Sequence, residues 1–290
     1  MKKIIVINAD DLGFSRGTNI GIEKAHREGI LTSASMMATG PSFAEAVRLC
    51  KRNPGLGVGV HLSLTLGLSV LPKKRIPDLI DNDRYFYANS GLLLVKTLLM
   101  PRRMRKQIAA ELDAQIQKIF KAGIKIDHLD SQYHVHCMPL IFSVVCELAR
   151  KYKIPVVRNP KEPLWVMTAP MNMFKWFVLK SYAAINMLLG EKAKIMPKFY
   201  GILHTRAMTA ETIEKIVMRD DSGIVEILAH PGVFDISGVN FDYDRQHIVF
   251  FLESENRVRE MKELMKPSLK AYLKKHNIVV TTFGKAVQFL

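Results

Sequence analysis

Acidic and imidazole side chains collect where four apolar segments of the chain end. One segment runs directly into Asp10 and Asp11, and another ends on His61. A third leads into residues 127–136, which contain three histidines, and a fourth ends on His230. Two adjacent carboxylates at a buried strand end are costly unless a cation or hydrogen bonds hold them. A carboxylate with imidazoles suits Zn²⁺, and iron, cobalt or nickel also bind such a set.

Each of these features also has a simpler explanation when it is taken alone. The Asp10-Asp11 pair could cap a following turn or helix, and His61 could be a buried core histidine. His128 is expected to face away from the others if residues 127–132 are extended, because side chains alternate along a strand. The set is more specific than its members, and it predicts a metal-dependent site built from several strand ends.

The elements that must position these side chains alternate between short β-branched runs and helical patterns. The predicted strands are Ile4–Asn8, Leu31–Met37, Gly57–His61, Ile126–Leu129, Val156–Val157, Phe199–His204, Ile224–Ala229 and Asn277–Thr281. The predicted helices are Gly17–Glu28, Phe43–Arg52, Arg102–Lys121, Leu140–Lys151, Ala210–Met218, Glu253–Leu264 and Pro267–Lys275. This alternation implies βα units around a parallel sheet.

About eight strands without an evident linker predict an α/β protein with a single domain over residues 1–290. The expected architecture is a distorted (β/α) barrel, and an open, doubly wound sheet is the alternative. Both architectures place functional groups at the C-terminal ends of the strands. Two apolar insertions interrupt the pattern, at about residues 64–101 and 164–190.

Composition narrows the class of protein. The three cysteines include no C-x-x-C pair, which argues against a disulfide framework and a cysteine-based zinc site. The absence of a signal-peptide pattern and of a long apolar run predicts a cytoplasmic protein. The 42 basic and 27 acidic residues give a net charge of +15. No nucleic-acid-binding motif accompanies this charge, so a nucleic-acid partner is not expected.

Three motifs resemble those of a known family. They are Asn8-Ala9-Asp10-Asp11-Leu12-Gly13, Gly59-Val60-His61-Leu62 and His128-Leu129-Asp130-Ser131-x-x-His134-Val135-His136. In this order they resemble the YdjC-like carbohydrate deacetylases, which include a chitooligosaccharide deacetylase and a hopanoid-biosynthesis deacetylase. The resemblance runs from Ile4 to about Gly232. It implies a (β/α) barrel, a divalent metal and hydrolysis of an N-acetyl group on an amino sugar.

The resemblance also implies roles for individual residues. Asp10 resembles the catalytic base, and Asp11 and His61 resemble metal ligands. His230 resembles the histidine that protonates the leaving amine, and Arg158 resembles an arginine that orients the base. The implied metal polarises the acetyl carbonyl and activates water while these residues move protons. Zinc is the preferred metal, with magnesium, cobalt and nickel as alternatives.

One position departs from the family pattern. The family reads Asp-Ser-His-x-His-x-His, and Gln132 stands where the first of these histidines is a metal ligand. A glutamine offers only a neutral carbonyl oxygen, which is a poorer ligand for zinc-like ions. If the loop continues extended, His134 and His136 share the face of Gln132, and His134 could supply the missing nitrogen. The third ligand is therefore open among Gln132, His134 and His136.

The insertions bear on the substrate. Leu92–Met100 precedes a basic cluster that comprises Arg102, Arg103, Arg105 and Lys106, and Pro163–Leu189 precedes Lys192, Lys194 and Lys198. Apolar residues beside basic clusters are typical of proteins that dock on anionic membranes. The resemblance implies that hopanoid-type members act on a lipid-linked sugar, and together with this pattern it favours a glycolipid or lipid-linked acetylamino sugar as substrate, at the inner face of the membrane. The insertions could instead cover the barrel or form a homodimer contact. A soluble chitooligosaccharide substrate and a sugar-binding protein weakened by Gln132 are the alternative functions.

Overall fold

The computed structural model of the chain describes residues 3–166, 173–190, 198–205, 207–235, 237 and 254–289. Its strands are β1 (Ile4–Leu12), β2 (Ser33–Met36), β3 (Gly57–Leu62), β4 (Ile126–Ser131), β5 (Val156–Val157), β6 (Lys198–Tyr200), β7 (Ile224–Ala229) and β8 (Val279–Val280). Its helices are α1 (Arg16–Glu28), α2 (Phe43–Arg52), α3 (Ser90–Leu99), α4 (Pro101–Lys121), α5 (Pro139–Lys151), α6 (Met173–Leu188), α7 (Ala210–Arg219), α8 (Glu255–Leu264), α9 (Pro267–Lys275) and α10 (Phe283–Ala286).

The strands form one parallel sheet in the order β5-β4-β3-β2-β1-β7-β6. The short strand β8 pairs with the start of β1, at Ile4 and Ile5. Within the described residues no ladder joins β5 to β6, so the sheet curves as a half-barrel and keeps two edges. The predicted α/β class and the distorted barrel of parallel strands are confirmed. The extent of the domain over residues 1–290 stays a prediction.

Strand β1 lies at the centre of the sheet. It is buried at all nine positions, because β2 and β7 flank it and helices cover its faces. A run of Ile and Val fits this position, since a strand of a parallel sheet is apolar on both faces. The strand continues beyond the predicted end at Asn8 and carries Asp10 and Asp11 into the sheet.

Helix α4 anchors the first insertion through three buried polar side chains. Gln115 accepts a hydrogen bond from the Ser63 backbone N–H at 3.0 Å, and the Glu111 carboxylate accepts from two backbone N–H groups at 2.9 Å each. Gln107 accepts from the Asp78 N–H at 2.9 Å. A loop that passes over a core must satisfy its backbone groups, and α4 supplies the partners. The insertion is therefore tied to α4 through its backbone.

Three of the predicted strands are shorter than expected, and the one predicted at Asn277–Thr281 spans only Val279–Val280. The strand predicted at Phe199–His204 ends at Tyr200, because the Glu162 carboxylate binds the backbone N–H groups of residues 201, 202 and 203 at 2.8–2.9 Å. These N–H groups are therefore not available for hydrogen bonds to a neighbouring strand. The strand predicted at Leu31–Met37 spans Ser33–Met36.

Both insertions contain a helix that the sequence pattern did not predict, α3 in the first and α6 in the second. Residues 167–172 of the second insertion, and Lys192 and Lys194 beyond it, lie outside the described residues. Among the helices that are described, none is long and apolar enough to cross a bilayer.

Candidate functional site

The end of β1 brings two adjacent carboxylates into one cavity. Neighbouring residues of a regular strand face opposite sides of a sheet. The pairing of β1 with β2 shifts register between Ala9 and Leu12, and Asp11 adopts a left-handed φ of 70°. This conformation is strained for a residue with a side chain, and such strain is typical of functional sites. Because of the bulge, both Asp10 and Asp11 line the cavity.

The cavity has a volume of about 160 Å³ and opens at the C-terminal ends of the strands. Residues from four strand ends, both insertions and the loop after β6 surround it. They are Asp10, Asp11, Phe14, His61, Leu66, Ser131, Gln132, Tyr133, His134, Lys175, Thr205, Leu228 and His230. Six of the seven predicted site residues are in this set, and the seventh, Arg158, lies directly behind it.

Arg158 is buried among three carboxylates. Its Nη1 and Nη2 donate to the two oxygens of Asp10 at 2.9 and 2.8 Å. Nη1 also lies 2.7 Å from Asp130 Oδ2, and Nε donates to Glu226 Oε1 at 2.6 Å. Burial opposes the charged guanidinium, but the three carboxylates hold the pKa of Arg158 well above its ordinary range. The arginine therefore fixes the orientation of the Asp10 carboxylate through both of its oxygens.

Asp130 and Glu226 respond differently to this arginine. Burial opposes ionisation of Asp130, but the Arg158 and His61 charges hold its pKa well below the ordinary value. Burial dominates at Glu226 and raises its pKa to about 7 in spite of Arg158. One guanidinium cannot neutralise three carboxylates, and Glu226 is the group on which the remaining proton is held.

His61 is held between two carboxylates. Its Nδ1 lies 2.9 Å from Asp130 Oδ1, and its Nε2 lies 3.6 Å from Asp11 Oδ1. Burial alone would lower the pKa of His61, but Asp130, Asp10 and Asp11 raise it to about 9. A histidine whose Nδ1 donates to a carboxylate presents Nε2 as a ligand, as is common at metal centres. Nε2 faces Asp11, and a divalent cation that bound there would displace the proton that these carboxylates favour.

A buried polar network supports this arrangement from below. Ser35 Oγ donates to Asp130 Oδ2 at 2.6 Å and accepts from Asn8 Nδ2 at 2.9 Å. His128 Nε2 lies 3.0 Å from the same hydroxyl, and its Nδ1 lies 2.7 Å from Asp127 Oδ1. His128 does not line the cavity, but the alternation argument for this was wrong, because His128 shares its strand face with Asp130. It lies deeper in the barrel and contacts the network instead of the cavity.

The loop after β4 carries Gln132, His134 and His136, the three candidates for the ligand that the sequence left open. It does not continue extended, as the sequence interpretation assumed, but turns into a 3₁₀ helix in which Tyr133 and His134 have left-handed φ values of 51° and 57°. His136 is directed away from the cavity, since Ser131 Oγ and the Arg158 carbonyl bond its two nitrogens at 2.6 and 2.9 Å. His136 is thereby removed as a candidate ligand.

Gln132 and His134 both line the cavity. Gln132 Oε1 accepts a long hydrogen bond of 3.3 Å from Ser63 Oγ. His134 Nδ1 is buried and has no hydrogen-bond partner in the described part of the chain. Burial holds the pKa of His134 well below its ordinary value, so the ring is neutral, as a metal ligand must be.

His230 lies across the cavity from the loop after β4. Its backbone N–H donates to Glu260 Oε2 at 2.6 Å, and its Nδ1 lies 4.0 Å from the same oxygen. Burial lowers the pKa of His230 to about 3. Arg257, from the same helix as Glu260, donates to Asp11 Oδ2 at 2.6 Å. Helix α8 therefore contacts both His230 and the Oδ2 oxygen of Asp11.

The donor set fits a divalent cation. In the described residues, one group of three possible ligand atoms, from Asp10, His61 and Asp130, lies within 4.8 Å of one another. Arg158 already occupies the two aspartates, so the side of His61 that faces Asp11 is the better position for a cation. Asp11 and His61 supply a carboxylate oxygen and an imidazole nitrogen, which zinc-like ions prefer, and His134 lines the same cavity with an unbonded nitrogen.

Several residues of the site, many of them charged, were not predicted. Asp130 stands in the motif itself, and Glu226 is an isolated acid within the apolar strand β7, which signals a buried partner. Lys175 is one of two charges in the second insertion and lines the cavity. Arg257 has no local signal, because it meets Asp11 across 246 positions of sequence.

Comparison with known proteins gives consistent results. The family model described as YdjC-like protein matches residues 4–275. A carbohydrate deacetylase from Brevibacillus brevis is 31% identical over 284 residues, which cover 97% of this chain and 98% of the relative. One from Halalkalibacterium halodurans is 32% identical over 265 residues, with coverages of 91% and 96%. A solved structure from Enterococcus faecalis V583, provisionally named a cellobiose-phosphate cleavage protein, aligns with a TM-score of 0.75 at 26% identity over 99% of each chain.

Proposed function

We propose that this chain, which belongs to the YdjC-like protein family, is a metal-dependent carbohydrate deacetylase. The reaction is hydrolysis of the N-acetyl group of an amino sugar to acetate and a free amine. The observation that carries this proposal is the convergence of Asp10, Asp11, His61 and His230 on one cavity. The names of the relatives support the same reaction class.

Asp11 and His61 would hold the metal, with His134 or Gln132 as the third ligand. A bound divalent cation polarises an acyl carbonyl and lowers the pKa of a bound water. Zinc is favoured by the two imidazoles, and magnesium, cobalt and nickel are alternatives. Asp130 would fix the ring of His61, and Arg257 would fix Asp11, so that both ligands are oriented before a cation binds.

Two residues would move protons. Asp10, oriented by Arg158 and by Asn8 Nδ2 at 3.0 Å, takes a proton from the water that attacks the acetyl carbon. His230 gives a proton to the sugar nitrogen as the carbon–nitrogen bond breaks. A ring with a pKa of about 3 is neutral at pH 7, so His230 first has to receive a proton. The proton that Asp10 takes from the water would pass to His230 and from there to the sugar nitrogen, which returns both residues to their starting states.

An amphiphilic substrate, such as a glycolipid or lipid-linked acetylamino sugar, fits the surface beside the cavity. Both insertions contribute to the cavity wall, through Leu66 and Lys175. Their helices expose large apolar side chains, among them Leu98, Leu99, Phe174, Phe177 and Leu188. Several large apolar side chains exposed on one helix favour a site of interaction with lipid or protein.

The basic residues that follow α3 support membrane contact less than the sequence suggested. Arg103 is paired with Asp78, and Arg105 with Glu147. Docking on an anionic membrane therefore depends more on α6 than on the start of α4. A soluble chitooligosaccharide remains the alternative substrate, and a homodimer contact remains the alternative use of the exposed helices.

Acetate release tests the function directly. The purified chain, supplied with Zn²⁺, should release acetate from an N-acetylated amino sugar. Asp10→Asn should keep the metal yet lose about 10²–10⁴-fold in turnover, because a positioned base supplies an effect of that size. Asp83→Asn, at an exposed aspartate, is the matched control. Near wild-type turnover in Asp10→Asn would show that Asp10 is not the base.

Metal content separates an enzyme from a weakened sugar-binding protein on the same fold. Elemental analysis should find a divalent metal in the purified chain and much less in Asp11→Asn and His61→Ala. Comparison of Gln132→Ala with His134→Ala identifies the third ligand, since only the true ligand lowers the metal content. A wild-type chain that binds sugar but neither metal nor acetyl group would support the binding-protein alternative.

A further inference from the structure

A second cavity, larger than the first, lies between residues 160–163 and helix α6. Its volume is about 360 Å³. Three lysines line it, Lys161 before α6, Lys180 within α6 and Lys198 at the start of β6. The remaining wall consists of Pro160, Glu162, Pro163, Trp176, Ala183, Ala184 and Met187.

The lysines leave this cavity positively charged. No carboxylate in the described part of the chain forms an ion pair with Lys161, Lys180 or Lys198. Lys180 Nζ lies over the Trp176 ring, 4.5 Å from its centroid, and this contact does not neutralise its charge. Three ammonium groups around one concave surface concentrate positive potential there.

The single acid in the wall does not cancel this charge. The carboxylate of Glu162 is buried and is bound by three backbone N–H groups, those of residues 201–203. Its backbone carbonyl accepts the indole N–H of Trp176 at 2.7 Å. The same residue thus fixes the loop after β6 and the aromatic wall of the cavity. The wall is preorganised, which lowers the entropic cost of binding.

Apolar and polar surfaces meet at this cavity. Met187 in its wall is exposed, and so are Phe177 and Leu188 on the same helix α6. The residue before Trp176, Lys175, lines the first cavity. One turn of helix therefore faces the candidate catalytic site and the basic cavity together.

We propose that this second cavity binds the phosphate group of an anionic lipid, while the exposed residues of α6 contact the acyl region. Ammonium groups bind phosphate as point charges, and the space beyond a single phosphate admits the rest of a headgroup. The inference deepens the proposed amphiphilic substrate and rests on it. Through Lys175 and Trp176, the lipid site would place the membrane surface beside the catalytic cavity.

Vesicle binding by the full-length chain tests the site. The probes are phosphatidylcholine vesicles that carry either phosphatidic acid or oleate, matched in surface charge. The triple variant Lys161→Gln, Lys180→Gln, Lys198→Gln is compared with the control triple Lys24→Gln, Lys51→Gln, Lys270→Gln, which removes the same charge from exposed positions. The cavity variant should lose on the order of 100-fold in affinity for phosphatidic acid vesicles, since each lysine near an anionic leaflet contributes about fivefold.

Three results would overturn the proposal. The first is equal loss in the two triple variants, and the second is equal binding of wild type to the two kinds of vesicle. The third is calorimetric binding of glucose 6-phosphate that depends on the three lysines while vesicles do not bind, which would assign the cavity to soluble phosphate esters. Acetate release from a soluble acetylated sugar, measured in the same variants, should be unchanged. Failure of the lipid site would therefore be distinguishable from failure of the deacetylase function.

Discussion

The barrel interior and the two insertion helices depart from the usual distribution of residues in opposite directions. Inside the barrel, Arg158, Asp130 and Glu226 are 0% exposed. On the insertions, Phe174 is 79% exposed and Leu188 is 82% exposed. Charged residues are rarely buried without a partner, and large apolar patches are rarely exposed without one.

Buried charged side chains and exposed apolar side chains are both unfavourable for stability, and the proposed function explains both by binding. A buried ion-pair network seldom stabilises a protein more than apolar residues of the same volume would. Exposed aromatic and leucine side chains likewise lose the free energy that their burial would supply. In the proposed function, the partner in the interior is a metal and a reacting acetyl group, and the partner at the surface is a lipid. Four variants test whether the two regions differ as this interpretation requires.

The largest expected effect concerns the interior. Arg158→Met should lower the free energy of unfolding by about 3–5 kcal/mol, because three buried carboxylates would lose their cation. Arg48→Met, at an exposed arginine, should change it by less than about 0.5 kcal/mol. Urea denaturation measures both values. A loss in Arg158→Met no greater than in the control would show that the network does not depend on this arginine.

The pH dependence of the free energy of unfolding tests whether Glu226, unlike Asp130, has a raised pKa beside Arg158. The pKa of Glu226 rises from its ordinary 4.5 to about 7 in the folded chain. The folded state therefore binds this proton more tightly than the unfolded state. The resulting stability is fully present below pH 4.5 and is lost as the pH rises through 7, by up to about 3 kcal/mol.

Glu226→Gln keeps the neutral form at every pH, so its stability should change less between pH 4.5 and 8 than that of the wild type. Glu28→Gln, at an exposed glutamate, should retain the wild-type profile. Thermal denaturation across this range provides the comparison. Identical profiles for Glu226→Gln and the wild type would assign the proton to another group.

A smaller effect is expected from the network below the metal site. Ser35→Ala removes a donor to Asp130 and should weaken zinc binding about 10–100-fold, as loss of an outer-shell partner typically does. Titration calorimetry with Zn²⁺ gives the affinity without any substrate. Ser268→Ala, at an exposed serine of α9, is the control. Unchanged zinc affinity in Ser35→Ala would show that Asp130 orients His61 without help from Ser35.

The smallest effect is expected at the surface. The double variant Phe174→Ser, Phe177→Ser should weaken the vesicle binding that persists at high salt about fivefold to tenfold, because interfacial contact buries only part of each ring. Phe120→Ser removes an equally exposed phenylalanine from α4 and should have no effect. Sedimentation with anionic vesicles measures both. If binding is absent at low salt, the helices are better explained as a subunit contact, and a soluble sugar becomes the favoured substrate.

Much of the site was predictable because parallel strands deliver their ends to one edge of a sheet. Periodicity placed Asp10, His61 and His230 after separate strands, and the structure brings all three to one cavity. The same reasoning failed at residues 132–136, where an extended loop was assumed. Local pattern does not reveal a left-handed turn when no glycine or asparagine marks it.

The sequence by itself determined the alternation of strands and helices, the parallel sheet and the strand ends at which polar residues gather. These follow from side-chain periodicity, which is local. Only the tertiary structure decided that Asp10 and Asp11 face the same side, through a bulge against β2. It alone directed His134 to the cavity and His136 away from it. It also brought Arg257 to Asp11, because an ion pair between distant positions depends on packing that no local pattern encodes.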